Sequence, residues 1–175
     1  MEKRLIKKDA LAGIARKMAG DAMVWAPVKK EDNVLFAPLG TGDEPVFTYL
    51  NSKNAPKNVF FPHTETLMKF TRTPKGMEFS SEVNQSGQSV LFGVRPCDAH
   101  SFVLLDKLFD QEKYKDAYYI EKRKNTTVIS LACVKPPYAT CFCTSVDGEP
   151  VSADGADILL TDLGGDYLVE FITEK

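Results

Sequence analysis

The chain has 175 residues, with 22 Lys and Arg against 24 Asp and Glu, and 43% of its residues are apolar. These values are typical of a folded globular protein and exclude wholesale disorder and fibrous classes. The formal charge of −2 gives no reason to expect nucleic-acid binding, and no apolar run reaches the roughly 18–20 residues of a membrane span. The charged start has no apolar segment behind it, so no signal peptide is predicted and the expected location is a reducing cytoplasm.

The first half, residues 1–88, is predicted to be rich in hairpins. Apolar residues at i, i+3, i+4 and i+7 between Leu11 and Met18 predict a helix, and Asp9 is placed to cap its start. Two apolar runs, residues 23–28 and 34–38, predict a hairpin, and the proline in each favours an edge or irregular strand. Three further predictions complete this half: a strand over residues 46–50, a short helix over 63–70 and a mobile surface segment over 71–88.

The second half, residues 89–175, predicts a parallel core. The apolar run 90–94 predicts a strand buried on both faces, a helical pattern follows, and residues 126–131 predict the next strand. This succession is a βαβ crossover. Residues 157–161 and 167–173 predict a final hairpin. The sequence therefore predicts an α/β fold, with α+β as the alternative: a mixed sheet with a βαβ crossover, an N-terminal helix and flanking hairpins, in a single domain over residues 1–175.

All four cysteines of the chain lie in the second half, at Cys97, Cys133, Cys141 and Cys143. Without a secretory signal, clustered cysteines indicate metal or redox chemistry more often than disulfides. Cys97 and Cys133 each follow a predicted parallel strand, at the edge where open α/β sheets place their ligands. An extended Cys-x-Cys would point the other two sulfurs to one side. Four converging thiolates select zinc or an iron–sulfur cluster.

The spacing of the cysteines favours a [4Fe-4S] cluster but leaves zinc open. Structural zinc sites usually take two Cys-x₂₋₄-Cys knuckles, and neither is present. A cluster accepts ligands from scattered loops, although this spacing is not that of bacterial ferredoxins. Two other interpretations also stay open: buried, reduced cysteines in a metal-free interaction domain, and a redox-active pair at Cys141 and Cys143.

Three other side chains are candidates for the surroundings of this site. His100, three residues after Cys97, is a possible ligand or hydrogen-bond donor to sulfur, although a capping or partly exposed histidine is the more ordinary interpretation. Arg95 and Lys135 flank cysteines, and a cation beside an anionic cluster would favour its reduced state. The alternative for both is a solvated side chain.

Several segments, in order along the chain, carry a resemblance to a known family. They are Gly-Val-Arg-Pro-Cys-Asp-Ala-His at 93–100, Asp-Ala-Tyr-Tyr at 116–119, Lys-Arg-Lys-Asn at 122–125, Cys133, and Cys-Phe-Cys-Thr-Ser at 141–145. The chain resembles the beta subunits of multimeric cytoplasmic hydrogenases (sulfhydrogenases) and the corresponding subunit of anaerobic sulfite reductase. The resemblance runs from residues 61–62 to the final hairpin.

This resemblance implies an electron-transfer subunit without bond chemistry of its own. Such a subunit passes electrons between an NAD(P)H-oxidising flavoprotein subunit and a catalytic reductase or hydrogenase subunit. The resemblance also supports Cys97, Cys133, Cys141 and Cys143 as iron–sulfur ligands. In the family this region precedes a ferredoxin-like part with two further clusters, and this chain has no ferredoxin-type cysteine run. We therefore expect the amino-terminal part of a longer subunit, with a zinc-binding or metal-free structural domain of a redox complex as the alternative.

Overall fold

A computed structural model describes residues 2–81 and 87–175 of the chain. Within these residues the helices are α1 (Ala10–Met18), α2 (Pro96–Phe109) and α3 (Ala117–Lys124), with short 3-10 helices at Pro56–Val59 and Cys143–Ser145. The strands are β1 (Lys3–Lys7), β2 (Met23–Lys30), β3 (Asn33–Pro38), β4 (Met68–Thr73), β5 (Gly76–Ser81), β6 (Ser89–Val94), β7 (Thr126–Leu131), β8 (Ile158–Asp162) and β9 (Asp166–Phe171).

Seven of these strands form one mixed sheet in the order β1-β9-β8-β7-β6-β2-β3. The four central strands, β8, β7, β6 and β2, run parallel, and antiparallel strands complete both sides. The connection from β6 through α2 and α3 to β7 is the predicted βαβ crossover. The predicted α/β class, mixed sheet, amino-terminal helix and flanking hairpins are therefore confirmed.

Helices cover the sheet on both faces because the central strands are apolar on both sides. In β7, Val128 packs in the cluster that contains Phe102 of α2 and Tyr119 of α3, whereas its neighbour Ile129 packs in the cluster that contains Leu11 of α1. Successive side chains of a strand point to opposite faces, so one buried strand supports two cores. Packing on both faces therefore holds the central strands in place, and with them the ends of these strands.

The region between β3 and β6 differs from the prediction. The strand expected over residues 46–50 is wrong: these residues form no strand, although Phe47 and Tyr49 are buried and the preceding Pro45 forms an isolated bridge with Val28. The helix expected over residues 63–70 is also wrong, because β4 begins at Met68 and pairs with β5 in a separate two-stranded sheet. The prediction of a mobile surface segment over residues 71–88 missed this hairpin, which includes residues 71–81. Residues 82–86 of the predicted segment lie outside the described residues.

Other differences lie at the sides of the large sheet. β3 is an edge strand as predicted, but β2 is not, since it lies between β3 and β6. The pairing of β2 with β6 ends at Trp25, two residues before Pro27, so the missing N–H of the proline interrupts no bond to β6. β1 and α3 were not predicted. Among the described residues, no helix is long and apolar enough to cross a membrane.

Candidate functional site

The carboxyl ends of β6 and β7 lie side by side at one edge of the sheet, because these strands are parallel neighbours. At the end of β6 the register shifts between Phe92 and Val94, and Gly93 in between has a φ of 83°. A Cβ at this position would lie 3.0 Å from the ring of Phe47, so only glycine fits without displacing that ring. The bulge directs the chain from the sheet into α2.

Cys97 lies in the first turn of α2. The helix begins at Pro96, which suits its first position because the N–H there has no intrahelical partner. The neighbouring backbone N–H of Asp98 favours the thiolate form of Cys97 and so opposes the rise in its pKa. The side chain is exposed at the end of the helix whose dipole favours negative charge.

The other three cysteines lie on the loop of residues 132–157, which joins the parallel strands β7 and β8. Cys133 is half-buried, and its N–H donates a hydrogen bond to the carbonyl of Pro150 at 2.9 Å. This bond holds the later part of the loop beside its first residues. Cys141 is exposed, whereas Cys143 is half-buried and begins a 3-10 helix. The extended Cys-x-Cys expected from the sequence is wrong, because the carbonyl of Cys143 instead accepts bonds from the N–H groups of Val146 and Gly148.

All four cysteines line one cavity at this edge of the sheet. The cavity has a volume of about 560 Å³, and its walls come from the start of α2 and from the loop 132–157. All four cysteines are free of disulfides. Within residues 2–81 and 87–175, no group of three or more His, Cys, Asp or Glu side chains has the geometry to hold a single metal ion. The sulfurs therefore share a space without converging on one point.

The thiols influence each other electrostatically. Although Cys97 is exposed, partial desolvation of its thiol at the cavity wall raises its pKa to about 11, with negative charge at Asp98, Cys133 and Cys143 acting in the same direction. Burial also raises the pKa of Cys133, with added repulsion from Cys141 and Cys143 and with Arg95 opposing the shift. In the metal-free protein Cys97 and Cys133 are thus thiols at neutral pH, and metal binding would have to displace their protons.

Arg95 supplies the positive charge nearest the cavity wall. Its guanidinium lies 4.5 Å from the ring centroid of Tyr49 and donates a hydrogen bond to the backbone carbonyl of the same residue. Its positive charge opposes the rise in the pKa of Cys133 that burial causes. The Nε atom is buried and has no hydrogen-bond partner in the described part of the chain. A buried donor without a partner is costly.

The remaining candidates have distinct positions. The Nδ1 atom of His100 lies 2.8 Å from a carboxylate oxygen of Asp154, so this histidine joins α2 to the loop at the cavity wall. Burial raises the pKa of Asp98 to about 6, with Arg95 and Lys57 opposing the shift. Lys135 is exposed and does not line the cavity.

Sequence reasoning missed Tyr49, which supports Arg95 from a segment 46 residues upstream in the chain. Its hydroxyl donates to the carbonyl of Gly93 at 2.7 Å, so the bulge, the aromatic ring and the guanidinium form one unit. No local pattern marks a contact of such sequence separation. The length of the loop 132–157 was a usable signal, because long loops without regular structure are commonly functional.

Comparison with known proteins gives one informative relative. The beta subunit of sulfhydrogenase 2 from Pyrococcus furiosus is 32% identical to this chain over 146 residues, which is 83% of the chain and 41% of the relative. The chain thus matches about two fifths of the length of that protein. No protein-family model matches the chain, and no solved structure matches it.

Proposed function

Because this chain belongs to the family of hydrogenase beta subunits, we propose that it is an iron–sulfur electron-transfer module of a redox complex. We propose that it holds a [4Fe-4S] cluster through its four cysteine thiolates, at Cys97, Cys133, Cys141 and Cys143. The observation that carries this proposal is the shared cavity of about 560 Å³ that all four side chains line.

The size of the cavity favours a cluster over a single zinc ion. Zinc binds four thiolates at about 2.3 Å, so its ligands converge on one point. Among the described residues no such convergence is present. A [4Fe-4S] core is several atoms wide, and its thiolate ligands bind separate corners. Four sulfurs around a shared space suit this larger group.

Two features of the cavity lining favour an anionic group, although three exposed carboxylates, at Asp147, Glu149 and Asp154, also line the cavity. A [4Fe-4S]²⁺ core with four thiolates carries a net charge of −2, because four negative ligands surround a core of charge +2. Arg95 lines the cavity, and so does the first turn of α2, where the helix dipole favours negative charge. Both features stabilise negative charge in a partly dry space.

The chain contributes binding and tuning, whereas the cluster, when bound, supplies reversible uptake of one electron. The cysteine thiols lose their protons as they bind, because thiolates are the ligands. The guanidinium of Arg95 offsets the added charge of the reduced state, and the walls around Cys133 limit access of water. We further propose that the partners are an NAD(P)H-oxidising flavoprotein subunit and a catalytic subunit, and that the complex works in the cytoplasm.

Anaerobic reconstitution with iron and sulfide tests the proposed site. We expect about four irons per chain and a brown protein. Cys133→Ser and Cys141→Ser should each reduce the iron content strongly, because each removes one ligand. Thr140→Ser is the matched control, since it changes the same loop beside Cys141 and leaves every thiol in place. Four irons in both cysteine variants would contradict the proposed ligands, and one zinc per chain without iron would favour the structural zinc domain instead.

A further inference from the structure

The mouth of the cysteine cavity is surrounded by large apolar side chains that are exposed to solvent. On the loop 132–157, Phe142 is 67% exposed and Val146 is 54% exposed. On α2, Leu104 is 52% exposed, and Leu50 on the neighbouring segment is 55% exposed. Scattered apolar residues are normal on a surface, but a group of them around one opening is typical of an interaction site. We name these four side chains, with Tyr138 and Leu108, the mouth face.

The mouth face continues along α2. Leu104 and Leu108 follow Cys97 by seven and eleven residues, and these spacings place all three on one side of a helix. Both leucines are more than half exposed. The two leucines therefore form an exposed apolar strip on α2, separated from Cys97 by His100 and Ser101, and nothing in the described part of the chain covers it.

The rim of the mouth is acidic. Asp147, Glu149 and Asp154 line the cavity, and all three are exposed. No lysine is among the described residues that line it, and Arg95 there is partly buried against Tyr49. An acidic rim around an apolar centre attracts a basic surface and accelerates its docking.

We propose that the mouth face docks a partner protein that carries its own one-electron centre behind a basic, apolar surface. A cluster held by Cys97, Cys133, Cys141 and Cys143 would supply or accept one electron, and the partner's centre would be reduced or oxidised by that one electron. The electron step rests on the proposed function, whereas the docking rests on the surface alone. A second copy does not fit, because a symmetric dimer through this face would oppose two acidic rims.

A basic c-type cytochrome is a suitable probe of this surface. Its equilibrium binding to the oxidised, reconstituted protein is measured by calorimetry at about 10 and 150 mM salt. We expect the dissociation constant to rise about tenfold or more with salt, because screening removes the attraction between the two rims. The Asp147→Asn/Glu149→Gln double variant should bind at low salt about as weakly as the unmodified protein does at high salt, and Leu104→Gln should weaken binding at both.

Asp21→Asn/Glu174→Gln is the matched control. It removes the same two charges, but both residues are exposed near the amino ends of the parallel strands, away from the mouth. Equal effects of the two double variants would overturn the proposal, because net charge alone would then explain the binding. A dimer that buries the mouth, seen by sedimentation, would also overturn it. Iron content is measured on the same samples, so loss of the cluster contradicts the proposed function, while loss of site-dependent binding contradicts the docking.

Discussion

Arg95 joins the sheet to the cysteine cavity, since it is held by Tyr49 and lies against Cys133. We predict that Arg95→Gln makes the reduction potential of the cluster more negative by about 60 mV. A shift of about 60 mV in a one-electron couple corresponds to about 1.4 kcal/mol. This is the stabilisation that the reduced state loses in excess of the oxidised state, and it is on the scale of one hydrogen bond to a charged group. The loss is greater in the reduced state because that state carries one more negative charge. Potentiometric titration followed by electron paramagnetic resonance measures the shift.

Lys135→Gln provides the control for this measurement. Lys135 follows Cys133 by two residues, but its side chain is exposed and does not line the cavity. Water and salt screen an exposed charge, so its removal should shift the potential by a small fraction of the Arg95 effect. Equal shifts in reduction potential for both variants, at equal iron content, would contradict this prediction. They would show that the overall charge of the protein, rather than the contact of Arg95, sets the potential of the cluster.

The raised pKa of Asp98 predicts a pH-dependent stability of the metal-free protein. Burial raises this pKa from 3.8 to about 6, so the folded state binds the proton more tightly than the unfolded state. The stabilisation from that proton is present below pH 4 and is lost as the pH rises to about 6, where the folded protein ionises. Relative to Asp98→Asn, the unmodified protein should therefore lose about 2–3 kcal/mol of unfolding free energy between pH 4 and 7. Urea unfolding of both proteins under reducing conditions measures the difference, and a pH-independent difference would contradict this assignment.

At the scale of elements, the close packing of the loop 132–157 on α2 depends on Gly155. Its φ is 75°, and a Cβ there would lie 2.1 Å from the carbonyl oxygen of Ala99. We predict that Gly155→Ala destabilises the fold by more than about 3 kcal/mol, because either the helix or the loop must move. Gly164→Ala is the control, since Gly164 has a φ of 97° with open space around it, and its substitution should cost only about 1–2 kcal/mol. Chemical unfolding of both variants measures these costs, and equal costs would show that backbone conformation alone matters.

The sequence was sufficient for the elements whose local pattern and burial agree. β6 and β7 are continuous apolar runs because helices cover both faces of the sheet, and their parallel pairing brings Cys97 and Cys133 to one edge as expected. The amino-terminal helix was predictable because one face of α1 is buried and the other is not. The gathering of sulfurs was therefore foreseeable in outline from the strand ends alone.

The elements that were missed are decided by contacts distant in the sequence. Phe70 lies in a segment that accepts a helical pattern, but it forms a strand because it pairs with Phe79 across the β4–β5 hairpin. β1 is mostly charged and exposed, and it is a strand because β9 offers it an open edge. Cys143 begins a 3-10 helix, and its carbonyl accepts hydrogen bonds from the N–H groups of Val146 and Gly148. The Cys-x-Cys pattern alone gives no sign of these bonds.

At the scale of the whole molecule, the fold supplies a rigid sheet edge and leaves the chemistry to the loop above it. The strands that carry this edge are buried in two cores, whereas the cysteine loop has only one short 3-10 helix of its own. The apolar mouth face and acidic rim lie on the same side. The chain also matches only about two fifths of the length of its sulfhydrogenase relative.

Iron K-edge X-ray absorption on the anaerobically reconstituted protein tests the central claim most directly. We predict that each iron is surrounded by sulfur and has other irons as its next neighbours, because the four cysteines hold a multi-iron core. Iron bound mainly by nitrogen or oxygen, or iron without an iron neighbour, would contradict that claim.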